Sequence, residues 1–107
     1  MSRTLERIRE LVTRREVQIS DHGYDEQTDD DLFVDDILAG LTAAVVVEDY
    51  PAYHKGSCVL VLQRDRQGQP IHVVWGIPKD ASSPAVVVTV YRPDPARWSE
   101  DFLRRKS

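Results

Sequence analysis

Histidine and a closing tyrosine–arginine pair are the side chains of this 107-residue chain best suited to acid–base work on an anionic substrate. His72 lies inside Pro70-Ile71-His72-Val73-Val74-Trp75-Gly76-Ile77-Pro78-Lys79, an apolar run that a Gly/Pro/Lys turn ends. His22 follows the short run Val17-Gln18-Ile19, within Ser20-Asp21-His22-Gly23. An imidazole exchanges protons near neutral pH, so His22 and His72 are the acid–base candidates. Tyr91 and Arg92 end a valine-rich run; the guanidinium would neutralise a phosphate, and the phenol would donate a hydrogen bond or stack on a base. His54 and Lys55 sit in a polar, aromatic loop that could close over a substrate, and Thr89 shares a strand face with Tyr91. Together these types suit RNA cleavage without a metal. A base activates the ribose 2′-hydroxyl, cations stabilise the transition state, and an acid protonates the departing 5′-oxygen.

Each residue also has a plainer reading. His22 suits a helix start, and a strand histidine such as His72 can satisfy neighbouring polar groups. Tyr91 could pack between sheet and final helix, while Trp75 and Trp98 read as core anchors. Histidines at 22, 54 and 72 with one cysteine make no compact ligand pattern, so no metal is expected. No phosphate-binding glycine loop, dinucleotide fingerprint or GxSxG elbow is present, and no cofactor is expected.

The elements that must position these residues follow from periodicity. Residues 4–13 predict an amphipathic helix with Leu5, Ile8, Leu11 and Val12 on one face. Val17–Ile19 is a short strand. Ser20 caps the next turn, where Gly23 weakens a long helix. Thr28 with Asp31 resembles a capping box ahead of the stripe Val34, Ile37, Leu38 and Leu41, and Gly40 ends that helix. Strands follow at 43–48, 58–64 and 71–77, and a fourth ends at Tyr91. Their short connections favour an antiparallel meander. A last helix starts near Pro95, capped by Asp94, with Trp98 and Phe102 on one face. In the third strand Ile71, Val73, Trp75 and Ile77 face the core; in the fourth, Val86, Val88 and Val90 do. His72, Thr89 and Tyr91 then share the opposite face. The fold class expected is α+β: N-terminal helices packed on a four- or five-stranded, mainly antiparallel sheet, with a C-terminal helix, in one domain over residues 1–107.

Composition sets the outer bounds. A hydrophobic content of 41% supports a core and argues against general disorder. No apolar run is long enough to span a membrane, and the N-terminus lacks a signal-peptide core. The single cysteine, Cys58, has no internal partner, which suits a small buried thiol in a cytoplasmic protein. A net charge of −4 opposes nonspecific nucleic-acid binding, yet the charge is uneven. Residues 21–36 carry Asp21, Asp25, Glu26, Asp29, Asp30, Asp31, Asp35 and Asp36 with no basic residue. Arg3, Arg7, Arg9, Arg14 and Arg15 precede that run, and Arg104, Arg105 and Lys106 close the chain. Such a distribution either steers a partner, defines a local RNA-facing patch or simply solvates two faces.

The ordered set Val17-Gln18-Ile19-Ser20-Asp21-His22-Gly23-Tyr24, Cys58-Val59-Leu60-Val61-Leu62-Gln63, Pro70-Ile71-His72-Val73-Val74-Trp75-Gly76 and Val88-Thr89-Val90-Tyr91-Arg92-Pro93 resembles the DUF4258 family. The resemblance is closest to small members encoded beside antitoxins with a YgiT/MqsA-type zinc-binding segment, and the family looks like a divergent branch of RelE/BrnT-like toxin nucleases. It implies a helical N-terminal part, an antiparallel sheet, RNA cleavage by the free toxin, and a cognate antitoxin that covers the active surface. The family histidines map onto His22 and His72, and the terminal strand signature onto Tyr91 and Arg92. One departure is Glu26, where broader members often carry arginine four residues after the first histidine. A carboxylate there repels RNA and suits a basic antitoxin segment or activation of a 2′-hydroxyl. Two readings therefore stand: a toxin-like, metal-independent endoribonuclease, and a noncatalytic toxin-system or regulatory interaction module.

Overall fold

A computed structural model describes residues 2–29 and 32–106. Its frame is a five-stranded sheet in the order β1-β5-β4-β3-β2, where β1 is Val17–Ile19, β2 Val45–Tyr50, β3 Cys58–Arg64, β4 Pro70–Gly76 and β5 Ala85–Tyr91. Strands β2 to β5 pair antiparallel as the short connections require, while β1 lies parallel to β5 at the edge. Among the described residues no helix is long and apolar enough to cross a membrane.

Helix α1 (Arg3–Thr13) starts where Ser2 Oγ accepts the Leu5 N–H at 3.0 Å. Its buried Leu5, Ile8 and Leu11 pack on one sheet face against Val59, Val61, Ile71, Val73, Trp75, Val87 and Val90. Each such aliphatic side chain contributes about 1.5–3 kcal/mol on burial. Arg9 reaches across to the carbonyls of Leu41 (3.2 Å) and Ala44 (3.1 Å), tying α1 to the connection before β2. Within this apolar layer lies one polar pair. Gln63, buried in β3, accepts the Trp75 indole N–H at 2.9 Å and donates to the Ile37 carbonyl at 2.7 Å. The buried amide and indole are therefore both satisfied.

Helix α2 (Asp21–Asp29) tolerates Gly23 because it presses on β5: a Cβ there would sit 2.7 Å from the Val87 carbonyl oxygen. The expected Thr28–Asp31 capping box does not form on its Thr28 side. Thr28 Oγ1 donates back to Tyr24 O at 3.0 Å, Phe33 holds the N-cap of α3 (Val34–Gly40) without a side-chain bond, and Asp30 and Asp31 lie outside the described residues. As expected, α3 ends at Gly40, and a 3-10 turn at Leu41–Ala43 then leads into β2.

Two expectations give way to local geometry. A bulge in β5 shifts its pairing, Val74 opposing Thr89 but Trp75 opposing Val87. The extra residue resets the alternation. Val87 and Val90 enter the core, whereas Val88 is 38% exposed and does not. The second correction concerns the C-terminus, which forms turns and no helix. Asp94 caps one turn, Asp101 accepts from Ser99 Oγ and the Leu103 N–H, and Phe102 adopts φ 60°. Short polar side chains that bond nearby backbone groups compete with helix formation. The chain then doubles back, pairing Trp98 with Arg105 in an antiparallel bridge.

Candidate functional site

The doubled-back segment lies on the sheet face opposite α1, over His72 in β4 and Tyr91 in β5. These two residues are register partners. The Tyr91 hydroxyl lies 3.1 Å from His72 Nδ1, and His72 Nε2 lies 2.8 Å from the Phe102 carbonyl oxygen. A carbonyl only accepts, so Nε2 carries the hydrogen and donates it; in a neutral ring Nδ1 then accepts from the Tyr91 hydroxyl. Burial pushes the His72 pKa below its ordinary value; the Phe102 hydrogen bond opposes that and the Arg105 charge adds to it. Carbonyl, imidazole and hydroxyl thus form a chain in which a third group orients a base toward an O–H. His72 is 0% exposed, and Tyr91 is the half-buried member that reaches the surface.

Tyr91 opens into a hollow of about 620 Å³ lined by Arg92, Arg97, Arg105 and Lys106 with Trp98, Ala96 and Asp94. Its four cations outnumber Asp94 and the Glu48 and Asp65 carboxylates that pair with two of them, which leaves this spot positive on a chain of net charge −4. The backbone explains the clustering: the Lys106 N–H donates to the Arg97 carbonyl at 2.9 Å, so residues nine apart in sequence become neighbours. Arg105 Nη2 donates to Glu48 Oε1 at 3.0 Å while its guanidinium stands 4.7 Å from the Trp98 ring. That hydrogen bond holds the Glu48 carboxyl below its usual pKa. A guanidinium has five donors, so this pairing positions Arg105 without exhausting it. Arg92 Nη2 donates to Asp65 Oδ2 at 3.0 Å in the β3–β4 turn. Burial raises the Asp65 pKa, but bonds from the Gln69 N–H, Arg92 and the Gln67 N–H hold it below the ordinary value. Such a hollow can bind a phosphodiester and offer it one hydroxyl backed by a neutral base.

The sequence-predicted residues divide in this geometry. His72, Tyr91 and Arg92 come together. Thr89 lies on the same face, half-buried, opposite Val74. His22 stands exposed in the first turn of α2, beside the Val87–Val88 stretch of β5, and is not among the residues lining the basic hollow. Both His72 ring nitrogens are engaged by groups other than His22. His54 is exposed with its ring 4.5 Å from that of Tyr53, and Lys55 lines another hollow, of about 430 Å³, which Tyr91 does not border. Sequence reasoning missed Arg97, the Phe102 carbonyl and Glu48. The basic cluster Arg104, Arg105 and Lys106 was the signal for part of the hollow, but a C-terminal helix would not have folded it back on Arg97.

Elsewhere, a hollow of about 530 Å³ between the α2–α3 connection and the β3–β4 turn holds Phe33 with Arg66 stacked 4.4 Å above it. Cys58 is a free, half-buried thiol, its pKa raised by burial and by the Asp49 charge. Among the described residues no group of three or more His, Cys, Asp or Glu side chains is placed to hold a metal ion.

Comparison with curated proteins and with solved structures gives no match. A family profile does match: residues 19–92, from the end of β1 to Arg92, fit the domain of unknown function DUF4258, and the chain belongs to that family.

Proposed function

We propose that the chain is a toxin-like, metal-independent endoribonuclease of a RelE/BrnT-like toxin–antitoxin system, restrained by a cognate antitoxin. The observation that carries this reading is the Phe102–His72–Tyr91 hydrogen-bond chain opening into the Arg92, Arg97, Arg105 and Lys106 hollow. In this mechanism Tyr91 takes the proton of a ribose 2′-hydroxyl while passing its own to His72 Nδ1. The 2′-oxygen bonds to the adjacent phosphorus, the bond from phosphorus to the 5′-oxygen breaks, and that oxygen takes a proton from solvent water; the hydroxide left behind recovers the His72 proton through Tyr91. The four cations hold the negative charge that builds on the phosphoryl oxygens. His72 acts through Tyr91 and needs no contact with RNA, which accords with its complete burial. His22 takes no part in this step.

A cleavage assay on single-stranded RNA tests the reading. Tyr91→Phe keeps the ring and removes the hydroxyl, and cleavage should fall about 100-fold or more. His22→Ala should cleave like the parent. Undiminished cleavage by Tyr91→Phe, with a parental circular dichroism spectrum, would overturn the assignment.

One feature favours a noncatalytic interaction module instead. Tyr24 and Phe33 are 59% and 58% exposed within the acidic α2–α3 region, a surface suited to a basic protein segment. Tight antitoxin binding with no cleavage of any RNA would select that alternative.

A further inference from the structure

The basic hollow does not end at Tyr91. Tyr91 and Arg105 also line a neighbouring hollow of about 310 Å³ with Tyr50, Leu60, Val74 and Glu48, the carboxylate that holds Arg105 in place. That one shares Tyr53, Cys58 and Val74 with the hollow of about 430 Å³ that ends at Lys55. The three make one groove along the sheet face that the C-terminal segment leaves open. Gly76, the last residue of β4, lies in its lining. A Cβ there would lie 3.2 Å from Val88 Cγ2 and 3.7 Å from the Cys58 Cβ, so any side chain at this position would fill the groove. A glycine at this strand end, next to the β5 bulge, leaves room for another group to approach closely. Tyr50 and Tyr53, 45% and 46% exposed, stand along the wall, and the His54 ring braces Tyr53 from beside.

We propose that this groove is a track for single-stranded RNA, with one unpaired base seated over Gly76 against Tyr53 and the phosphates meeting Arg105 and Lys55. The proposal rests on the ribonuclease reading and adds a binding subsite to it. Aromatic walls with cations at both ends suit successive bases and phosphates, since every base has a face to stack. An apolar protein segment would use the floor but leave Lys55, and the Arg105 donors that Glu48 does not take, without an anionic partner. A duplex keeps its bases paired and stacked and offers nothing to seat over Gly76.

The test uses a labelled 2′-O-methyl hexanucleotide, which lacks the 2′-hydroxyl nucleophile and is bound without being cut. Fluorescence anisotropy should show binding by the parent and about tenfold weaker binding by Tyr53→Ala and by Gly76→Val. Tyr53 lies on an exposed loop, so its variant keeps the test decisive even where Gly76→Val folds poorly. Parental affinity in a folded Tyr53→Ala protein would overturn the track and leave the Tyr91 mechanism standing. Failure of the parent to bind the hexanucleotide would overturn it as well, whether the groove then takes a protein segment or a small apolar ligand. Conversely, weaker binding by Tyr53→Ala beside undiminished cleavage by Tyr91→Phe would support the track and remove the catalytic assignment alone.

Discussion

The Trp98 ring stands edge-on to His72, with centroids 4.4 Å apart and planes 85° from parallel. Trp98 is 5% exposed and belongs to a segment beyond residue 92, where the family match ends. So the strand histidine lies within the matched domain, while the ring that seals it and the carbonyl that orients it come from the C-terminal extension. That extension also supplies Arg97, Arg105 and Lys106. More than half of the candidate site is thus built outside the matched region.

Removing the Trp98 ring should therefore do two things at once. Trp98→Ala deletes a buried aromatic side chain and should cost about 3–5 kcal/mol in urea denaturation. In the variant that remains folded, water reaches His72 and its pKa should move up toward the ordinary range, read from the imidazole carbon-bound proton shifts by NMR. An unchanged His72 titration would show that the sheet alone desolvates the ring.

The depressed His72 pKa has a pH consequence. The folded state holds the ring neutral where the unfolded chain, with a pKa of about 6.5, begins to bind a proton. The unfolded state then carries more protons, so stability falls as pH drops through about 6.5 and levels off only below the folded-state value. Above that range both states are neutral and the contribution is fully present. Denaturation of the parent and His72→Gln at pH 8 and pH 5.5 checks this: the parent should lose more stability on acidification. The carboxylates with lowered pKa values, Glu48, Asp65 and Asp101, lose their share at lower pH.

Gln63 makes a stability prediction independent of function. Gln63→Ala would leave the Trp75 indole N–H and the Ile37 carbonyl without their partner in a buried layer. Each orphaned group costs about 1–3 kcal/mol, so the midpoint in urea should fall sharply. Gln63→Leu keeps the volume and should still destabilise for the same reason.

Much of this arrangement is legible in the residues. Apolar periodicity locates α1 and all the main strands, and the short connections predict antiparallel pairing. The placement of His72 on the face away from α1 also follows from strand alternation. Three things do not follow. The bulge at Val88 depends on β4 and β5 fitting together, which the three successive valines Val86, Val87 and Val88 cannot reveal. The parallel pairing of β1 with β5 is a long-range choice between strands far apart in sequence. The C-terminal turn is set by Ser99, Asp101 and the burial of Trp98, all of which override a helical spacing of Trp98 and Phe102. Because that turn gathers Arg97 and Lys106, the positive hollow was hidden in a chain that is acidic overall.

If the hollow binds a polyanion, salt should report how many of its cations take part. Single-stranded RNA releases condensed counterions when phosphates are neutralised, and log K falls against log salt with a slope of about −0.7 per contact. Arg97→Gln removes one exposed cation from the lining of the hollow. Binding of the 2′-O-methyl hexanucleotide, titrated from low to moderate salt, should weaken and its slope should become shallower by about 0.7. Lys106→Gln should act alike, and the pair together should approach the sum, since the two side chains meet different phosphates. Arg3→Gln, on the α1 side of the sheet, serves as the control and should leave the slope unchanged. A slope equally sensitive to Arg3 would mean that RNA is held by diffuse charge, and the C-terminal hollow would lose its claim to be the binding site.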